Sequence, residues 1–231
     1  MGAISFSLDE RLLNLLTEAL PLQTFVETGT FKGETLRLAF PLFEECHSVE
    51  LSPELYEAAI RQFGSQTGVH LYHGPSPEFL RARRDRFASV PTLFWLDAHW
   101  CVAEQTAGGE SQSPLLAELE AINALHPQSV LLIDDARLYL CPPPVPHRSG
   151  DWPDFHSVVQ ALLLLSPRHR LMVLNDVILF YPDSLRAVVS AYAREWGGDW
   201  LVIASDARKY RRRKARWRRV ASRLNPFRSS G

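Results

Sequence analysis

The stretch Thr24-Phe25-Val26-Glu27-Thr28-Gly29-Thr30-Phe31-Lys32-Gly33-Glu34 decides the fold, because it runs from a short apolar segment through a glycine turn into a helical pattern. Residues 24–26 read as a strand and residues 33–43 as a helix. Gly29 and Gly33 let the backbone turn tightly and approach a ligand, with a helix N-terminus close by. The same turn also occurs without a ligand, so its meaning depends on its surroundings.

Working outward, residues 8–20 place Leu12, Leu13, Leu15, Leu16 and Leu20 at helical spacing, and Pro21 stops the helix. After the glycine turn, strands are expected at 46–50, 69–72, 92–96 and 130–133, separated by helices at 53–63, 77–84 and 115–125. Strict alternation implies right-handed crossovers and a parallel sheet covered on both faces. Beyond the fifth strand the rhythm changes. A proline-rich loop leads to a helix ending near Leu165, then to two β-rich runs, 171–174 and 177–181, joined by Asn175-Asp176. That pair suits a tight antiparallel turn. The expected fold is an α/β, doubly wound, mostly parallel seven-stranded sheet ending in an antiparallel hairpin. A dinucleotide-binding fold would continue with parallel strands instead.

The chain has 231 residues and 46% hydrophobic content, enough for one sizeable core. No apolar run is long enough to span a membrane, and charges interrupt the start where a signal peptide would be apolar, so a cytoplasmic protein is expected. Cys46, Cys101 and Cys141 are widely spaced and read as reduced thiols. The net charge of −1 conceals an asymmetry: 11 of the 25 Lys and Arg residues lie within 208–228, a segment with no acid. We therefore divide the chain into a domain at 1–206 and a basic tail at 207–231. Residues 208–224 can be drawn as an amphipathic helix carrying Tyr210, Trp217 and Leu224 on one side. An anionic membrane surface, with the protein peripheral to it, and nucleic acid are both candidate partners for Arg208 to Arg228, and a solvated tail is the plain alternative.

The ligand site is expected at the C-terminal ends of the strands. Glu50 closes the second strand, where a carboxylate can accept both hydroxyls of a ribose, so turn and acid together favour an adenosine-containing ligand. The fourth and fifth strands, read as neighbours of the first, end in Asp97 and in Asp134-Asp135. Three carboxylates in one crevice need a cation, a protonated member or basic neighbours; Mg2+ would serve, while capping and ligand-holding roles are the alternative. His99 could act as a general base. Arg137 could balance the acids, and Ser76, in the turn after the third strand, could approach a purine. The long loops 101–113 and 141–153 could cover an acceptor pocket lined by Trp100, Tyr139, His147 and Trp152, although packing beneath a loop is the commoner role of such aromatics.

Residues 27–35 resemble motif I of class I S-adenosylmethionine-dependent methyltransferases, residues 49–59 their second-strand acid region, and residues 171–181 their terminal hairpin. The resemblance implies that Glu27, Gly29 and Gly33 contact the methionine part of the cofactor and that Glu50 binds its ribose; Thr30, Ser76 and Asp97 are expected in the same cofactor site. More narrowly, Asp97 with Asp134 and Asp135 is similar to the metal triad of macrocin-type sugar O-methyltransferases. Those relatives carry an acid as base two residues after the first metal ligand, where this chain has His99. The expected catalytic residues are Asp97 and His99, and the expected acceptor is a hydroxyl of a small molecule or sugar. Two other functions remain open: a nucleotide-cofactor oxidoreductase, although the third glycine of GxGxxG is missing, and a non-catalytic methyltransferase-like module recruited by its tail.

Overall fold

Asp9 starts the first helix: its carboxylate accepts the Leu12 N–H at 2.7 Å, capping α1 (Glu10–Ala19) and orienting Leu12, Leu13 and Leu16 into the interior. The computed structural model describes residues 8–100 and 111–199, with Val202, Ser205, Asp206 and Lys209. After α1 come β1 (Thr24–Thr28), α2 (Glu34–Ala39), β2 (Glu45–Glu50), α3 (Pro53–Phe63), β3 (Val69–His73), α4 (Ser76–Ser89) and β4 (Thr92–Leu96). The chain continues through α5 (Leu115–Ile122), β5 (Val130–Ile133), α6 (Arg137–Leu140), α7 (Phe155–Leu165), β6 (His169–Leu174), β7 (Val177–Pro182) and α8 (Arg186–Trp196).

The strands form one sheet in the order β3-β2-β1-β4-β5-β7-β6. The first five are mutually parallel, whereas β7 runs antiparallel to both β5 and β6. Both the doubly wound sheet and the closing hairpin match expectation. Asn175 takes φ 56°, the left-handed conformation that the two-residue turn requires. One adjacency needs correction. The two edges of β1 are taken by β2 and β4, so β5 lies one strand further out, paired with β4.

Successive residues of the central strands feed opposite faces. Phe25, Trp95, Leu132 and Leu179 pack with Leu13 and Leu16 on one side, while Val26, Phe94, Leu131, Phe180 and Leu162 pack on the other. Helix lengths depart from the sequence pattern for identifiable reasons. α2 stops at Ala39, with Phe40 as its cap, because Pro41 follows and has no N–H to continue the helical hydrogen bonds. α4 runs on to Ser89 because Phe87, isolated among charges, is buried against the sheet. α5 ends early at Asn123, with φ 62°.

The chain divides into two compact units, Met1–Ala193 and Arg194–Gly231. Apart from Lys209, which pairs with Asp206 at 3.0 Å, the basic run lies outside the described residues, as do its expected helix and residues 101–110. Among the described residues no helix is long and apolar enough to cross a membrane. Cys46 is a buried free thiol and Cys141 an exposed one.

Gly29 joins β1 to the crevice described below, and a Cβ there would lie 2.4 Å from the Asp97 carbonyl oxygen, with φ at +84°. Gly29→Ala is expected to cost about 1–3 kcal/mol, read as a lowered Tm in thermal melts.

Candidate functional site

The parallel strands end together at one edge of the sheet, and a cavity of about 170 Å3 opens there. Its wall includes Gly29, Glu50, Ser76 and Asp97, four of the residues expected to hold a cofactor. Glu27, Thr30 and Gly33 are buried and are not among its lining residues. Gly33 instead caps α2 in a left-handed conformation, φ 71°, where a Cβ would strike the Phe63 ring. Phe31, also in the wall and at φ 47°, escaped the sequence reading.

Glu27 is only 1% exposed. Ser48 Oγ donates to it at 2.5 Å, and the Ser48 and Thr30 hydroxyls lie 2.6 Å apart, so Thr30 can donate in turn to Ser48. Burial lifts the Glu27 carboxyl to about 8; the Ser48 bond opposes this rise, and the charges of Asp97 and Glu50 add to it. Glu50 is held differently. Its two oxygens accept the Phe31 and Ser52 N–H groups, each at 2.8 Å, which fixes the carboxylate at the wall and leaves further lone pairs for ribose hydroxyls.

Asp97 follows β4, and Asp134 and Asp135 follow β5; all three line the cavity together with His99. His99 Nε2 lies 3.1 Å from Asp97 Oδ1 and 3.2 Å from Asp135 Oδ2, close enough for ion pairing but without an aligned hydrogen bond. Burial alone would lower the imidazole, but the interactions with Asp97, Asp135 and Asp134 outweigh it and raise His99 to about 10. It therefore carries its proton at neutral pH in the ligand-free protein, the reverse of the state a general base needs. Asp134 rises to about 8 through burial and the charges of Asp97 and Asp135. The other Asp135 oxygen meets Arg137, whose guanidinium also binds Asp176 in the hairpin turn. Asp176 further accepts the Arg137 N–H at 2.9 Å, and its carbonyl accepts the Ala136 N–H at 2.7 Å.

The three aspartates share the crevice but are not gathered into one coordination set. Among the described residues, the one group of three whose ligand atoms all lie within 4.8 Å of one another is Glu45, His47 and His70. Both Asp135 oxygens, moreover, already face cations. As arranged, the trio does not fit Mg2+.

Two further residues belong to the site. Glu118 is buried on α5 within the apolar stripe Leu115, Leu119 and Ile122, and a carboxylate at that position in the stripe was the signal available in the sequence. Burial raises its pKa, against hydrogen bonds from Ser76 and Thr28, and one of its oxygens has no partner. Gln112 ties down the loops: its side-chain oxygen accepts Arg148 N–H at 2.7 Å and Trp152 Nε1–H at 3.2 Å. Trp152 packs against His99, Tyr139 and His147, and His147 against Trp100, so these aromatics back the site and do not line the cavity.

No protein-family model and no curated protein matches the chain. Solved structures do. A Staphylococcus aureus protein provisionally named a caffeoyl-CoA O-methyltransferase aligns at 14% identity and TM-score 0.51, covering 74% of this chain and 80% of its own. A Klebsiella pneumoniae protein provisionally named an O-methyltransferase aligns at 12% identity and TM-score 0.51, covering 79% and 83%. The fold is therefore the Rossmann-like methyltransferase fold of these two structures.

Because the folded protein holds the Glu27 proton up to about 8, it binds more protons than the unfolded chain above the ordinary carboxyl range, and stability falls as pH rises through that window. Glu27→Gln removes this dependence. Without ligand, the variant should melt several degrees above the parent at pH 9 and differ little at pH 5. Parallel pH profiles of Tm for the two proteins would refute the assignment.

Proposed function

We propose that this chain is an S-adenosylmethionine-dependent methyltransferase that transfers methyl to a hydroxyl of a small molecule or sugar. The observation that carries the reading is the sign of the cavity wall: the carboxylates of Glu50, Asp97 and Asp135 outnumber the one imidazolium of His99, and among the described residues no Lys or Arg faces it. S-adenosylmethionine brings a sulfonium and an ammonium into such a crevice. A dinucleotide would bring a pyrophosphate, and each phosphate charge about 4 Å from a carboxylate costs on the order of 4 kcal/mol at an effective dielectric near 20. That weighs against the oxidoreductase alternative. In this arrangement Glu50 binds the ribose and Ser76 lies beside the purine.

Transfer is direct displacement of the sulfonium methyl by the acceptor oxygen, so holding the reactants in line supplies most of the catalysis. The acceptor's proton needs a base. His99 is the residue proposed for it, since a sulfonium entering the crevice opposes the imidazolium charge and favours loss of its proton. No step is assigned to Mg2+; turnover unchanged by a chelator is expected. For residues 208–228 an anionic membrane surface or nucleic acid remains the proposed partner, with the protein cytoplasmic.

Calorimetry with S-adenosylhomocysteine and with NAD tests the cofactor: the first should bind and the second should not, and binding of NAD alone would overturn the proposal. With S-adenosylmethionine, titration at pH 7 in two buffers of different ionisation enthalpy should reveal net proton release, because a cationic ligand expels protons held by Glu27, Asp134 and His99. Once an acceptor is found with isotopically labelled S-adenosylmethionine, His99→Gln should lower kcat by about 10²–10⁴-fold. Full activity in that variant would remove His99 from the chemistry.

A further inference from the structure

A second cluster lies away from the crevice, three residues back along β2 from Glu50, or about 10 Å. Glu45 and His47 project from the same face of β2, and His47 pairs in register with His70 on β3, the edge strand of the sheet. The two imidazoles stack with centroids 4.8 Å apart and planes 22° apart. One ligand atom from each of Glu45, His47 and His70 falls within 4.8 Å of the others.

The surroundings of His47 resemble those of a metal-bound imidazole. Its side chain is 4% exposed; Nε2 faces Glu45 Oε2 at 3.3 Å, and Nδ1 lies 3.1 Å from the Tyr72 hydroxyl. A partner on the far nitrogen is the usual means of fixing tautomer and ring orientation in such ligands. A cation is already drawn to the same place: the Arg86 guanidinium from α4 holds Glu45 Oε2.

We propose that Glu45, His47 and His70 form a binding site for a borderline divalent transition metal, Zn2+ above all, that clips edge strand β3 onto β2. Two imidazole nitrogens and one carboxylate oxygen suit Zn2+ and leave a fourth position for water, whereas Mg2+ and Ca2+ prefer all-oxygen sets. Closing the site requires two movements, both on the surface. His70 turns about its side-chain torsions to bring its nitrogen to a Zn–N distance of about 2.0–2.1 Å, and Arg86, 53% exposed, swings into solvent. Exposed ion pairs contribute little, so losing Arg86 from Glu45 is a small obstacle.

This arrangement gives a test with two opposite signs. The full chain is titrated with Zn2+ by calorimetry in a non-chelating buffer, with Tm followed in parallel, and Co2+ is substituted to look for tetrahedral d–d absorption. One equivalent should bind and raise Tm. His70→Ala should weaken that binding at least tenfold and abolish the Tm rise. Arg86→Ala should tighten it several-fold, and Asp97→Asn, in the separate crevice, should leave it unchanged. His70 and Arg86 are surface residues, and circular dichroism of the two variants checks that they fold. Affinity unaffected by His70→Ala, or no binding of Zn2+ at millimolar concentration, would overturn the proposal.

Discussion

The structure depends on how it keeps several carboxyl groups of like charge together in one poorly solvated crevice. Each is answered locally. Glu27 keeps a proton and accepts one hydroxyl, Glu50 is fastened by two backbone N–H groups, and Asp97 and Asp135 share the His99 imidazolium. Asp134 rises under burial and the charges of Asp97 and Asp135, against the opposing pull of His99 and of the Asp135 backbone N–H. In isolation each buried carboxylate would cost several kcal/mol. Together they make a cavity whose remaining electrostatic deficit a positively charged ligand can fill, so binding and charge relief become one event.

The sheet dictates where this happens. Parallel strands finish at the same edge, and their terminal residues meet whether or not they are close in sequence. Gly29 follows the end of β1 so closely against the Asp97 carbonyl after β4 that only hydrogen fits between them. That contact narrows the floor of the crevice between two strands adjacent in space but 68 residues apart along the chain. The loop side is organised by Gln112, which holds Arg148 and Trp152 and so places the aromatic group behind His99.

Much of this was legible in the sequence because it follows from period and punctuation. The alternation of strands and helices, Asn175-Asp176 at the turn, and the acids at strand ends all depend on local pattern. What escaped depended on tertiary context. Phe87 extends α4 through burial that no neighbouring residue announces. The motif residues Glu27 and Thr30 are joined through Ser48 of β2 and are not among the cavity's lining residues, a pairing between strands that local pattern does not announce. His99 looked like a base from its ordinary pKa; three nearby aspartates reverse its charge state. The aspartates looked like a ready metal set, and their separation emerged only with coordinates.

Arg137 joins Asp135 to Asp176 across the chain, and that link has a bearing on synthesis. A protein is made from its N-terminus, and every acid lining the crevice leaves the ribosome before residue 176. Until the hairpin turn emerges, Arg137 lacks the carboxylate that holds its backbone N–H and side chain, and Ala136 lacks the carbonyl that accepts its N–H. A nascent chain can thus have all five parallel strands and still hold an unbalanced crevice. The hairpin turn, remote in sequence from the crevice acids, completes the charge balance around Asp135.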